Sequence, residues 1–81
     1  MKLPRNLNAQ KLIRSLKRIG YIKTRQTGSH IRLTRTSNNG EHHITIPSHS
    51  PIKIGTLNNI LQNVSKHLNI SKDELILKLK I

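Results

Sequence analysis

The chain reads as an α+β domain: a helix, a three-stranded antiparallel sheet, a second helix and a short extra C-terminal helix. Three observations predict this. Leu12, Ile13, Leu16 and Ile19 recur at helical spacing. Residues 21–47 then alternate in character across two turn signals, Thr27-Gly28 and Asn39-Gly40. Leu57, Ile60, Leu61 and Val64 return to helical spacing. Strands grouped together between helices, instead of alternating with them, define the α+β class.

Each element has its own signals. Residues 1–7 read as a flexible arm. Asn8 can cap a helix beginning near Ala9, because its side chain accepts from an orphan backbone N–H. Gly20 ends that helix, since glycine enters the left-handed conformation at low cost. Tyr21 to Gln26, Ser29 to Thr36 and Glu41 to Pro47 are the strands. With two-residue turns, Ile22 faces Leu33, Thr24 faces Ile31 and Arg25 faces His30 across the first pair, and Leu33 faces Ile46 across the second. Ile22, Thr24, Ile31, Leu33, Ile44 and Ile46 then share the core side. Tyr21, Lys23, Arg25, His30, Arg32, Thr34, His43 and Thr45 share the open side. A one-residue slip would exchange the two sets, so this register is a sharp expectation. Pro47 to Pro51 is a loop, and the second helix begins between Ile52 and Thr56. Asn69-Ile70 interrupt its pattern. Ser71-Lys72-Asp73-Glu74 is a capping box that opens a helix over residues 71–81, with Leu75, Ile76 and Leu79 apolar.

The 81 residues suffice for one small domain, residues 1–81. Absence of cysteine rules out a disulfide framework or a thiolate metal site. It also agrees with a cytoplasmic location. No apolar run is long enough for a membrane span, and the polar start does not read as a secretory signal, so no membrane partner is expected. Fifteen basic against three acidic residues give a formal net charge of +12. That imbalance repels itself in the compact state, and binding a polyanion relieves it. Nucleic acid is the partner class that fits best. Tyr21 is the only aromatic residue, which argues against a base-stacking sheet of the RRM or OB kind.

His30 is the foremost candidate for chemistry. It enters the middle strand on the open side, among Lys23, Arg25 and Arg32. A neutral imidazole can act as a general base near pH 7. The surrounding cations would hold a phosphodiester and stabilise charge building on it. RNA carries a 2′-hydroxyl beside each phosphate, so a base there can drive cleavage to a cyclic phosphate without a metal. The residues alone also admit a solvated histidine on a basic sheet. His49, just past the third strand, can approach His30 and supply the acid; it also reads as a loop histidine. His43 shares the open side and can bind phosphate. His42 points coreward and His67 lies late in the second helix, so both read as structural or solvated. No metal or cofactor is expected. The histidines lack an established zinc spacing, and Glu41, Asp73 and Glu74 place no carboxylate beside His30 for a magnesium site.

Several stretches resemble the HicA (YcfA-like) toxins. They are Gly28-Ser29-His30, Ile46-Pro47-Ser48-His49 and Ile54-Gly55-Thr56-Leu57 before a helix. Lys2-Leu3-Pro4, the span from Leu12-Ile13 to Gly20-Tyr21, and Ile70 to Leu75 fit as well. The resemblance covers nearly the whole chain in order. It implies a fold like a double-stranded-RNA-binding domain and an endoribonuclease that cleaves mRNA as the toxin of a toxin–antitoxin pair. It makes the histidine after the Gly-Ser turn, His30, the active one. It also implies a HicB-type antitoxin that covers that histidine. Double-stranded-RNA-binding domains usually grip phosphates with a lysine cluster at the start of the last main helix. Here Lys53 stands alone, ahead of Asn58, Asn59, Gln62 and Asn63. Three roles are open for the extra helix: packing on the core, a homodimer contact or an antitoxin contact. The alternative function is a non-catalytic RNA-binding module that inhibits translation by occupancy.

Overall fold

The computed structural model describes residues 3–4, 6–38, 40–48 and 51–81. Its elements run α1 (Ala9–Lys17), β1 (Tyr21–Thr27), β2 (His30–Ser37), β3 (Gly40–Pro47), α2 (Ile54–Leu68) and α3 (Lys72–Leu79). The sheet is antiparallel with order β1-β2-β3. This is the expected α+β architecture, consistent with the double-stranded-RNA-binding-like fold.

The helix signals act as their chemistry requires. Asn8 Oδ1 accepts from Lys11 N at 2.8 Å and opens α1. Ser71 Oγ accepts from Glu74 N at 3.0 Å and opens α3. Asn69, at φ 58°, closes α2 in the left-handed conformation. Ile70 N then donates to Ser65 O at 3.0 Å, which satisfies a carbonyl the helix cannot.

The helices cover one side of the sheet. Leu12 and Leu16 of α1, Leu57, Leu61 and Val64 of α2, and Leu33 and Ile46 of the sheet are fully buried together. Leu75, Ile76 and Leu79 are buried as well, so α3 packs on the core. Lys72 Nζ donates to Asn58 Oδ1 and ties α3 to α2. Of the residues expected to form a loose arm, Leu7 is buried and its carbonyl accepts from Ile52 N at 2.8 Å. Met1, Lys2 and Arg5 of that arm lie outside the described residues. No helix among the described residues is long and apolar enough to cross a membrane.

The first hairpin departs from the expected register. Its two-residue loop is Gly28-Ser29, with Thr27 paired to His30 and Arg25 paired to Arg32. Gly28 has φ 59°, the left-handed value that type II′ turns need at their first central residue. A bulge follows between Lys23 and Arg25. One extra residue there reverses the facing of everything before it. Tyr21, expected on the open side, is fully buried, and Ile22, expected in the core, is 56% exposed. In β2 and β3 the expected faces hold, but the pairing shifts by two residues: Ile46 lies opposite Ile31, not Leu33, and Leu33 lies opposite Ile44, because the ladder closes at Ser37 and Gly40.

Candidate nucleic-acid interface

The side of the sheet away from the helices carries a continuous polar row. Strand alternation on β2 places His30, Arg32, Thr34 and Thr36 there. Cross-strand pairing adds Arg25 and Ile22 from β1, and Pro47, Thr45, His43 and Glu41 from β3. His30 is exposed at one end of this row. Its neighbours across the ladder are Thr27 and Pro47, not Arg25 as the simple register implied. Ser48 N donates to Ser29 O at 2.6 Å, so the exit of β3 holds the turn that precedes His30. The histidine is thereby set by backbone bonds on both flanks while its side chain stays in solvent.

Arg25 and Arg32 face each other one step along the row and together form its cationic centre. Lys23 pairs with Leu33 and so falls on the helix side of the sheet edge, apart from His30. That is a correction to its expected facing, and the bulge is the cause. Lys53 is exposed at the N-cap of α2. His49 lies outside the described residues.

Further along the row, a hydrogen-bonded chain crosses all three strands. Thr24 Oγ1 and Thr34 Oγ1 are 2.8 Å apart, and Thr34 Oγ1 is 2.8 Å from His43 Nδ1. Glu41 Oε1 lies 3.9 Å from His43 Nε2. Sequence reasoning missed this chain because it assigned Thr24 to the core. The bulge turns Thr24 and Arg25 toward the same side.

A second polar cluster occupies the helix side, at the far end of β2. Tyr21 Oη and His42 Nδ1 are 2.7 Å apart. The His42 ring stacks on His67 at 4.2 Å between centroids and 8° between planes. Arg35 Nε donates to Ile19 O at 2.8 Å, and Arg35 Nη1 lies 3.4 Å from His67 Nε2. A cleft of about 300 Å³ lined by Ile19, Arg35, Leu68, Ile70 and Lys78 opens beside it, away from His30. The sequence signal for the cluster was available: Arg35 follows Ile31 and Leu33 at strand spacing and so had to face the helices. The structure makes these groups a half-buried junction between sheet and α2, with Tyr21 alone fully buried.

Burial pushes the Tyr21 hydroxyl up to about 12, with the Arg35 guanidinium acting in the opposite direction. Burial also holds His42 below the usual histidine value, and charge on His67, His43 and Arg35 adds to this. The signs for stability follow by linkage. A raised tyrosine contributes stability that is complete below pH 10 and is lost as pH rises to about 12. A lowered histidine contributes stability that is present above about pH 6.5 and is lost as pH falls below it. Urea midpoints taken across pH should therefore fall at both ends. Tyr21→Phe should flatten the alkaline limb by on the order of 2–3 kcal/mol relative to wild type. Equal alkaline limbs in the two proteins would remove Tyr21 as the titrating group. The comparison cancels the general loss of lysine charge at high pH.

Helices on one side and a basic, histidine-bearing sheet on the other define a small two-layer α+β protein. A family model, that of the HicA toxin of bacterial toxin–antitoxin systems, matches residues 9–65, and the chain belongs to this family. It is thus the toxin member of a toxin–antitoxin pair, and an antitoxin is its partner. Comparison with curated proteins and with solved structures returned no significant match. The matched span holds all of the sheet and most of α2, whereas α3 lies beyond it.

Proposed function

We propose that this toxin is a metal-independent endoribonuclease that cleaves mRNA in the cytoplasm and is silenced by a HicB-type antitoxin. The observation that supports this best is the setting of His30. It is exposed at the entrance of the central strand, next to the facing pair Arg25 and Arg32, in a chain of the HicA family. In this reading His30 takes the proton of a ribose 2′-hydroxyl. The 2′-oxygen attacks the adjacent phosphorus, and the P–O5′ bond breaks. The products are a 2′,3′-cyclic phosphate and a 5′-hydroxyl. Arg25 and Arg32 hold the phosphate next to the scissile one, and their charge favours the negative charge that builds on the scissile oxygens. His49 is the proposed donor to the leaving 5′-oxygen. His43 and Lys53 bind neighbouring phosphates, and Lys23 contacts RNA only from the sheet edge. The antitoxin, in this proposal, covers the open face of the sheet, where acidic groups would meet the cations.

The chemistry makes a direct test available. An RNA with a single 2′-deoxy substitution at the cleaved position should resist cleavage there, while the unmodified strand yields a cyclic phosphate. Cleavage of the substituted position at an undiminished rate would overturn the 2′-oxygen mechanism.

A further inference from the structure

The open face has a period of its own. His30, Arg32 and Thr34 follow one another two residues apart on β2, and each two-residue step advances about 6.6–6.8 Å. That step is close to the spacing of consecutive phosphates in an extended single RNA strand. The groups that meet each step come from neighbouring strands. At the second step Arg25 faces Arg32. At the third, Thr34 is buried to 4% and holds His43 through Nδ1, which leaves Nε2 outward, 3.9 Å from Glu41 Oε1. Thr24 braces Thr34 from the other side. Glu41 stands next, opposite Thr36; its carboxylate is exposed and only weakly paired, so a phosphate can replace it at Nε2, while its charge opposes a further phosphate.

We propose that the open face is a three-phosphate track for one RNA strand running along β2. His30 meets the scissile phosphate, Arg25 and Arg32 the next, and His43 the one after, where Glu41 ends the track. Thr34 is a positioning residue, because it acts by aiming His43. The separation also excludes His43 as the acid for the bond at His30. Four residues of strand put their backbones about 13 Å apart. The track extends to one side of the scissile bond only. A single strand suits it, since the phosphate-facing groups follow one strand direction and Lys53 is the sole lysine at the start of α2. Exposed Ile22, beside Thr34, offers an apolar contact to a sugar or base at the third step.

The inference rests on His30 as the centre proposed above, and its test does not depend on cleavage. The probe is a 2′-O-methylated RNA of seven nucleotides that cannot be cut, with one phosphate at a time replaced by a neutral methylphosphonate. Binding to the full chain is followed by fluorescence anisotropy at fixed salt. Neutralising any of three consecutive phosphates should weaken binding by about tenfold each, and neutralising those outside should change it by less than twofold. Arg32→Gln should erase the penalty at the middle phosphate alone. His43→Gln and Thr34→Val should erase it at the third alone, while Thr34→Ser keeps it. A loss of fold would weaken binding at every position, so the position-specific pattern separates the two. A uniform penalty along the strand, or a third-phosphate penalty that survives His43→Gln, overturns the track. If the pattern holds but the RNA with free 2′-hydroxyls is not cut, the track stands and the catalytic reading of His30 falls.

Discussion

His30→Ala is expected to abolish growth arrest on induced expression and to leave the fold unchanged. The side chain is exposed, so its removal opens no cavity. The turn before it is held by backbone groups, the Ser48 N to Ser29 O bond and the Thr27 and Pro47 pairings. None of these involves the imidazole. Loss of a positioned general base typically costs about 10²- to 10⁴-fold in rate. RNA cleavage by the purified variant should fall by that factor, with an unchanged thermal melt. A His30→Ala protein that stops growth as fast as wild type would defeat the catalytic assignment and favour inhibition by occupancy. In that case toxicity should follow the arginines and fall steeply with salt.

The second large effect concerns the facing of β1. Tyr21→Thr should remove about 3–5 kcal/mol of stability, the usual range for truncating a large buried aromatic. Tyr21 is fully buried, bonded to His42 and set edge-on to its ring at 5.9 Å between centroids. For a domain of this length total stability is of order 4–12 kcal/mol, so the variant should lose a large share of it. Ile22→Thr, one residue on, should change stability by no more than about 0.5 kcal/mol, because the side chain is mostly in solvent and threonine suits a strand. Urea denaturation of the two variants checks this. An Ile22→Thr loss larger than that of Tyr21→Thr would restore the uninterrupted register and remove the bulge.

Local chemistry is strong where it was legible. Asn8, Ser71 and Asn69 act within a few residues of themselves, and the hydrogen bonds they make belong to any helix end of that composition. The apolar stripe of α2 allows one buried face. β2 carries Ile31 and Leu33 against His30, Arg32 and Thr34, and only one facing buries the apolar pair. That alternation, with Ile44 and Ile46 repeating it on β3, put His30, Arg32 and His43 on one surface.

β1 is different. Tyr21-Ile22-Lys23-Thr24-Arg25-Gln26-Thr27 has one aliphatic residue, so either facing buries a single large side chain. The choice fell to partners remote in the chain. A buried tyrosine hydroxyl needs a hydrogen bond, and His42 on β3 supplies it, backed by His67 on α2. Gly28 could serve a turn at Thr27-Gly28 or at Gly28-Ser29, and the bond from Ser48 fits the second. The bulge at Thr24 reconciles the two demands. It lets Tyr21 enter the core while Arg25 stays beside Arg32. The elements, their caps and the surface on which the histidine stands all follow from local residue chemistry. Tertiary structure decided which cations accompany that histidine, because a one-residue shift in an edge strand costs little locally and is settled by contacts with β3 and α2.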